Sequence, residues 1–218
     1  MPTLPHSEDF KLWRRLGRLH VNSANDVFVI SRFDRNDATI EIFYSTAYSP
    51  HPAPNLLPVT LVAPTALQRA LRGATLVDDR GKKRALMTED SDVFIYTPTP
   101  GQGGGHAEEM FIRSLPRLFT EYGQPFLIEI YISKIPCGEA SPSWIGPRPD
   151  DASKTMLWPQ GCGPKFHCLF KLCPSVDFEL IYEDTYPATS ASQALSMAWI
   201  TKIVDLGNAR AGLYANFA

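Results

Sequence analysis

Short runs of apolar residues predict strands at six places along the chain. The predicted strands are residues 27–30, 39–44, 93–96, 126–132, 178–182 and 212–217. Residues 126–132 are almost continuously apolar, which is typical of a strand covered on both faces. Residues 39–44 alternate between apolar and polar, and the turn at 34–37 before them predicts a hairpin with 27–30.

Apolar residues at helical spacing predict helices between and before these strands. The predicted helices are residues 10–20, 61–71, 106–122, 162–173 and 190–206. Pro116 lies inside the helix at 106–122 and predicts a kink or a break, because proline lacks the N–H that the helix needs. Pro174 marks the end of the helix at 162–173.

Strands that alternate with helices in the second half of the chain predict the α/β class. We expect a single domain over residues 1–218, with a mixed central sheet of about five strands and an N-terminal helical extension at 1–26. Residues 138–159 are rich in proline, serine and aspartate and predict a long loop, and residues 80–84 predict a basic turn.

The charge and the apolar runs limit the classes of partner. A formal net charge of −2 gives no overall attraction to phosphate backbones or anionic membranes, so any nucleic-acid contact must be local. No apolar run approaches the roughly 18 residues of a membrane span, and the N-terminus lacks the apolar core of a signal peptide. We therefore expect a soluble, cytoplasmic protein with no membrane partner.

All four cysteines lie in one short stretch of the sequence. They are Cys137, Cys162, Cys168 and Cys173. Disulfides within so short a stretch would be a poor way to staple a chain of this length, whereas a metal site suits the spacing. The pattern favours a reducing compartment or a metal-bound state.

Three residues offer the donor set of a catalytic zinc site, which takes three protein ligands and leaves the fourth position to water. His106 opens a predicted helix, Cys137 follows a buried strand, and Cys162 opens the next helix. The positive end of that helix favours a thiolate at Cys162. Glu108, two positions after His106, can reach over the metal to the water and move protons without binding the metal.

Each of these residues also has a simpler interpretation. His106 and Glu108 would suit a solvated helix start, and free cysteines are commonly small core residues. The prediction of a metal site therefore rests on the whole set, in this order and on these elements.

The set resembles the cytidine deaminase-like superfamily, whose signature is H-x-E followed by P-C-x-x-C. Here His-Ala-Glu stands at 106–108, and Pro136 and Cys137 end a buried strand. The similarity extends from about residue 27 to the C-terminus. It implies a three-layer α/β/α fold, Zn²⁺ held by His106, Cys137 and Cys162, and Glu108 as the proton shuttle.

The chain departs from the signature because its second cysteine is not three positions after Cys137. Residues 138–161 form an insertion, which must lie next to the site because it joins two ligands. Cys162, Cys168 and Cys173 therefore compete to be the third ligand, with His167 a weaker metal candidate. We favour Cys162 because it opens the helix, whereas the other two cysteines lie one or more turns farther along it.

The resemblance implies hydrolytic deamination of a nucleobase, at C4 of cytosine or C6 of adenine. We expect conversion of cytosine to uracil in nucleic acid, with single-stranded DNA favoured over RNA or duplex DNA. The helix at 190–206 permits a parallel final strand, a form that resembles the AID/APOBEC and tRNA-editing branch. Residues 98–105 before His-Ala-Glu resemble the bacterial toxin deaminases.

Candidate substrate contacts lie near the second metal ligand and in the insertion. The residues are Ser133, Pro136, Trp144, Arg148, Lys154 and Trp158. Tryptophans stack on bases and cations meet phosphates, but these tryptophans would equally suit packing of the insertion onto the body. Basic residues between 69 and 84 would follow a strand backbone or form a solvated face.

Two other functions stay open. A deaminase of free nucleosides or nucleotides would suit the slightly acidic net charge. A non-catalytic zinc-binding interaction module would keep the fold but would not need Glu108. If the toxin resemblance holds, the protein would be delivered to a target cell and would have an immunity protein as a partner.

Overall fold

The structure, a computed structural model, places helices around a mixed sheet. It describes residues 27–34, 39–45, 61–62, 75–77, 83–85, 92–96, 106–185 and 190–214. The strands are β1 (Phe28–Asp34), β2 (Thr39–Ser45), β3 (Leu61–Val62), β4 (Thr75–Val77), β5 (Lys83–Ala85), β6 (Asp92–Tyr96), β7 (Leu127–Ile132), β8 (Trp144–Pro147), β9 (Thr155–Trp158), β10 (Asp177–Tyr182) and β11 (Ala209–Leu213). The helices are α1 (Ala107–Tyr122), α2 (Cys162–Leu172) and α3 (Ser190–Val204).

The largest sheet has the strand order β11-β10-β7-β1-β2-β6-β3. β1 is antiparallel to β2 and β7, whereas β7, β10 and β11 run parallel. The parallel strands follow from the connections, because α2 leads from β7 to β10 and α3 leads from β10 to β11. The predicted α/β class with a mixed sheet is confirmed. β3 and β6 extend the described sheet to seven strands, beyond the expected five or so.

All six predicted strands are present, with bounds shifted by a few residues. The observed bounds differ most from the predicted ones at the final strand, which is Ala209–Leu213 rather than 212–217. It pairs in register with β10, from Phe178 opposite Ala209 to Tyr182 opposite Leu213. This pairing with a distant strand, rather than local sequence, sets its position.

Three local predictions are wrong where the structure describes them. The expected helix at 61–71 begins with β3, which pairs with β6, and part of the expected basic turn at 80–84 belongs to β5, which pairs with β4. The expected loop at 138–159 contains the hairpin β8–β9. In each case pairing with another strand decides the conformation. The partner of β3 lies far along the chain, whereas β4–β5 and β8–β9 pair with strands close by in sequence. The extension at 1–26 and residues 98–105 lie outside the described residues.

α1 continues through Pro116, so the predicted break there is absent. The hydroxyl of Thr120 donates to the Pro116 carbonyl over 2.7 Å. One interior proline costs roughly 3 kcal/mol, which the buried apolar side of this helix offsets. None of the helices in the described ranges is long and apolar enough to span a membrane.

A row of charged residues crosses four strands in register. Arg32 on β1 pairs with Glu129 on β7, and Arg210 on β11 pairs with Glu179 on β10. Both carboxylates are buried. A register slip of one residue would separate the buried carboxylates from their arginines, so the row favours a single alignment of the strands that lead to the site.

The insertion between the two cysteines starts and ends at the same place. Gly161 has φ +86, and a Cβ there would lie 2.0 Å from the carbonyl oxygen of Gly138. The Gly161 N–H also donates to the Ser141 carbonyl over 2.7 Å. Because its two ends touch, the insertion leaves Cys137 and Cys162 side by side despite their separation in sequence.

We predict that Gly161→Ala lowers the free energy of unfolding by clearly more than Gly207→Ala. Gly207 is the matched control, because it has φ +83 but nothing within 4 Å of an added Cβ. The control should show only the positive-φ cost of about 1–2 kcal/mol. Urea unfolding of both variants measures the difference, and equal losses would contradict the proposed closure at Gly138.

Candidate metal centre

The side chains of His106, Cys137 and Cys162 form a group that could hold a metal ion. Their ligand atoms all lie within 4.8 Å of one another. Nδ1 of His106 is 3.8 Å from Sγ of Cys137 and 3.6 Å from Sγ of Cys162. Both cysteines are buried and the histidine is half-buried. No fourth ligand from the described part of the chain joins the group.

Two helix starts meet at this group. His106 caps α1, and Cys162 is the first residue of α2. The backbone N–H of Cys162 donates to Sγ of Cys137 over 3.3 Å, and the N–H of Gly163 donates to the Cys137 carbonyl over 2.9 Å. Cys137 thus accepts from the free amides of the first turn of α2, whose positive end favours a thiolate.

The three candidate ligands strongly affect one another's protonation. The hydrogen bond from Cys162, together with His106, lowers the pKa of Cys137 to about 4, against the opposing effect of burial. Burial raises the pKa of Cys162 well above its usual value. Burial lowers the pKa of His106, but the contact with Cys137 and the nearby Glu108 raise it overall to about 9. Without metal, Cys137 is therefore the thiolate of the group.

Glu108 lies next to the candidate ligands in the first turn of α1 and is fully buried. Neither carboxylate oxygen has a hydrogen-bond partner among the described residues. Burial raises the pKa of Glu108 to about 7, although His106 opposes this shift. A buried carboxylate without a partner is costly for stability, which points to a role in binding or proton transfer.

A buried ion pair joins both ligand-bearing helices to the insertion. Nζ of Lys165 on α2 lies 2.9 Å from a carboxylate oxygen of Glu109 on α1. The same ammonium donates to Ser141 and, over 2.7 Å, to the Pro142 carbonyl, and the Ser141 hydroxyl donates to Glu109 over 2.6 Å. These contacts hold the part of the insertion at Ser141 and Pro142 against the first turns of α1 and α2.

The two tryptophans of the insertion stack on each other. The ring centroids of Trp144 and Trp158 are 5.1 Å apart at 21°, and both side chains are buried. The Arg113 guanidinium lies 3.9 Å from the Trp144 ring centroid. This arrangement agrees with the alternative in which the tryptophans pack the insertion onto the body. Base contact by either ring stays a prediction.

The other predicted substrate contacts have structural partners. The Ser133 hydroxyl accepts from the Phe28 N–H over 3.1 Å, and Pro136 is buried. Arg148 pairs with Asp150, and Lys154 pairs with Asp151. These contacts shape the insertion and the turn before Cys137, and substrate binding by these residues stays a prediction.

The competing ligand candidates lie away from the group. Cys173 is the buried C-cap of α2, with its backbone N–H bonded to the carbonyls of Leu169 and Phe170. Cys168 is half-buried, and His167 lies against Trp199 with ring centroids 5.7 Å apart. Of the three cysteines that competed for the third ligand position, the structure brings Cys162 to His106.

Sequence reasoning missed the cluster of Glu109, Lys165 and Ser141. A lysine at a core-facing position of a predicted helix was the available signal, because such a charge needs a buried partner. Its partners lie on two other elements, so the sequence could not name them.

Neither a protein-family model nor a curated protein matches the sequence. The interpretation of the site therefore depends on its own residues and geometry.

We predict that His106→Ala, Cys137→Ser and Cys162→Ser each reduce bound metal from about one equivalent to nearly none. Cys168→Ser is the matched control and should keep its metal, because that thiol lies outside the group. Elemental mass spectrometry after dialysis against a weak chelator measures the difference. Metal loss in the control as well would contradict the ligand assignment.

We predict that metal affinity falls as the pH falls, with a slope of about two log units per pH unit between about pH 5 and 8. In this range Cys137 is already a thiolate, whereas His106 and Cys162 must each lose a proton to bind. Competition with a fluorescent chelator, corrected for the chelator's own protonation and with Zn²⁺ as the probe, measures the slope. A slope near zero would overturn the protonation states given above.

Proposed function

We propose that this protein is a zinc-dependent hydrolytic deaminase that converts cytosine to uracil in nucleic acid, with single-stranded DNA as the favoured substrate. The observation that carries the proposal is Glu108. This carboxylate is fully buried, lies beside three side chains that could hold a metal ion, and has no hydrogen-bond partner in the described part of the chain.

The donor set fits zinc. Tetrahedral Zn–S bonds of about 2.3 Å and Zn–N bonds of about 2.0 Å place the sulfur and nitrogen ligands about 3.5 Å apart. The observed separations of 3.6 and 3.8 Å from Nδ1 of His106 to the two sulfurs are close to this value. When bound by these three residues, zinc supplies Lewis-acid activation of water at its remaining position.

Glu108 provides the proton transfers that hydrolytic deamination needs. Its carboxylate accepts a proton from the attacking water, delivers it to the ring nitrogen of the base, and then assists departure of the amine. In the metal-free protein, burial raises the pKa of this carboxyl group to about 7, and a raised pKa favours proton exchange near neutral pH. Water is consumed and ammonia is released, so the reaction needs no redox partner.

The position of Glu108 follows from the first turn of α1. Burial keeps the carboxylate away from bulk water, and the helix holds it two residues beyond His106. Glu109, the next residue, is engaged with Lys165 and Ser141, so two neighbouring carboxylates have different surroundings. This difference supports Glu108 as the catalytic residue and Glu109 as a structural one.

The topology supports a base within a polymer as substrate. β11 runs parallel to β10, as the helix at 190–206 allowed. In the superfamily that the sequence resembles, a parallel last strand resembles the AID/APOBEC and tRNA-editing branch. We include the three-layer cytidine deaminase-like fold in the proposal on the same grounds.

We predict that Glu108→Gln lowers the deamination rate between about 100-fold and 10,000-fold while leaving bound zinc unchanged. The amide keeps the shape of the side chain but cannot carry the proton. Glu121→Gln, at an exposed position on the same helix, is the matched control and should keep full activity.

Ammonia release and sequencing of the product measure turnover on single-stranded DNA, duplex DNA, RNA and free nucleosides. Conversion of cytosine to uracil in a polymer, lost in the Glu108 variant only, supports the proposal. Zinc-loaded protein that turns over none of these substrates would contradict it.

A further inference from the structure

A basic and aromatic surface lies on the facing sides of α2 and α3. We call it the helix patch and define it as His167, Lys171, Trp199 and Lys202. The His167 ring centroid lies 5.7 Å from that of Trp199, and Nζ of Lys202 lies 4.1 Å from the Trp199 ring centroid. Both lysines are exposed, and the two rings are partly exposed.

The helix patch lies close to the metal centre. Gly138 and Gly163 directly follow the two metal-binding cysteines. A Cβ on Gly163 would lie 2.9 Å from Cβ of Trp199, and one on Gly138 would lie 2.6 Å from Cγ of Leu195. Leu195 and Trp199 are four residues apart and share one side of α3. That side therefore contacts the chain immediately beyond both cysteines.

The local charge of this surface is opposite to that of the whole chain. Neither α2 nor α3 contains an aspartate or a glutamate, although the net charge of the protein is −2. Lys165, the other lysine of these helices, is buried and paired with Glu109. Burial, together with the charges of Lys171 and Lys202, lowers the pKa of His167.

A cationic surface with an accessible aromatic ring suits single-stranded nucleic acid, whose bases stack on aromatic rings and whose phosphates meet cations. The cation–π contact between Lys202 and Trp199 joins an exposed ammonium to a partly exposed ring and is correspondingly weak. A base can therefore take the place of the flexible ammonium on the ring while the ammonium moves to a phosphate. A free nucleoside carries no phosphate for these lysines.

We infer that the helix patch binds the strand that flanks the target nucleotide, with a neighbouring base on Trp199 and phosphates on Lys171 and Lys202. The inference rests on the proposed function and specifies a polynucleotide, rather than a free nucleoside, as the substrate. It also places part of the polymer contact on α2 and α3, outside the insertion.

Fluorescence anisotropy with a labelled single-stranded DNA 20-mer tests the inference on the full zinc-loaded chain. Trp199→Leu should weaken binding on the order of tenfold, whereas Trp199→Phe should weaken it less because it keeps a stacking ring.

The same assay tests the phosphate contacts through their salt dependence. The double variant Lys171→Gln, Lys202→Gln should reduce the slope of log affinity against log salt by about 1.4, at roughly 0.7 per phosphate contact. Arg117→Gln on α1 removes one positive charge outside the patch and is the control for charge loss, which should leave the salt slope unchanged.

Turnover separates a substrate-binding role from a structural one. The patch variants should lose activity on the polymer while keeping their zinc content and any activity on free deoxycytidine. Unchanged polymer binding, or equal losses on polymer and nucleoside, would overturn the inference. A wild-type protein that binds the 20-mer through the patch but deaminates no substrate would instead contradict the proposed function.

Discussion

The contact between Cys137 and the start of α2 is the interaction on which the rest of the site depends. The sulfur of Cys137 accepts a hydrogen bond from the Cys162 N–H, and its carbonyl oxygen accepts one from the Gly163 N–H. Cys137 therefore satisfies free amides at the start of α2, and the same hydrogen bonds hold its own thiolate in place and join the two ends of the insertion. Because Gly161 packs directly on the Gly138 backbone, the long excursion between the cysteines leaves the ligand geometry undisturbed.

Charge compensation in a dry environment explains the arrangement around this contact. Two helix starts direct positive potential toward sulfur atoms that must be thiolates to bind metal. The charge of Glu109 is compensated by Lys165 in a buried ion pair, which also holds α1 against α2. Glu108 has no such partner among the described residues, and burial raises its pKa to about 7. The same acidic pair of residues thus supplies one structural group and one group available for proton transfer.

The distribution of charge also reconciles an acidic chain with the polyanionic substrate that we propose. Net charge governs long-range attraction, but contacts to phosphate depend on cations within a few ångströms. The exposed charges of α2 and α3 are all cationic, and the Trp199 face of α3 lies against the glycines that follow both cysteines. In the proposed complex, local cations and a stacking ring therefore hold the strand, and the overall field contributes little.

The sequence by itself determined most of the strands, the three described helices and the identity of the proton-transfer candidate, because periodicity and short motifs are local properties. It favoured Cys162 as the third ligand over Cys168 and Cys173, but it gave no partner for Lys165. It also predicted a loop where β8 pairs with β9. Only the tertiary structure decided the position of Cys162 beside His106 and the partners of Lys165, because both depend on contacts between residues that are distant in sequence. The β8–β9 hairpin is local, but it depends on strand pairing that a loop-like composition does not predict. Cys162 is brought to His106 by the closure of the insertion, and the partners of Lys165 come from α1 and the insertion.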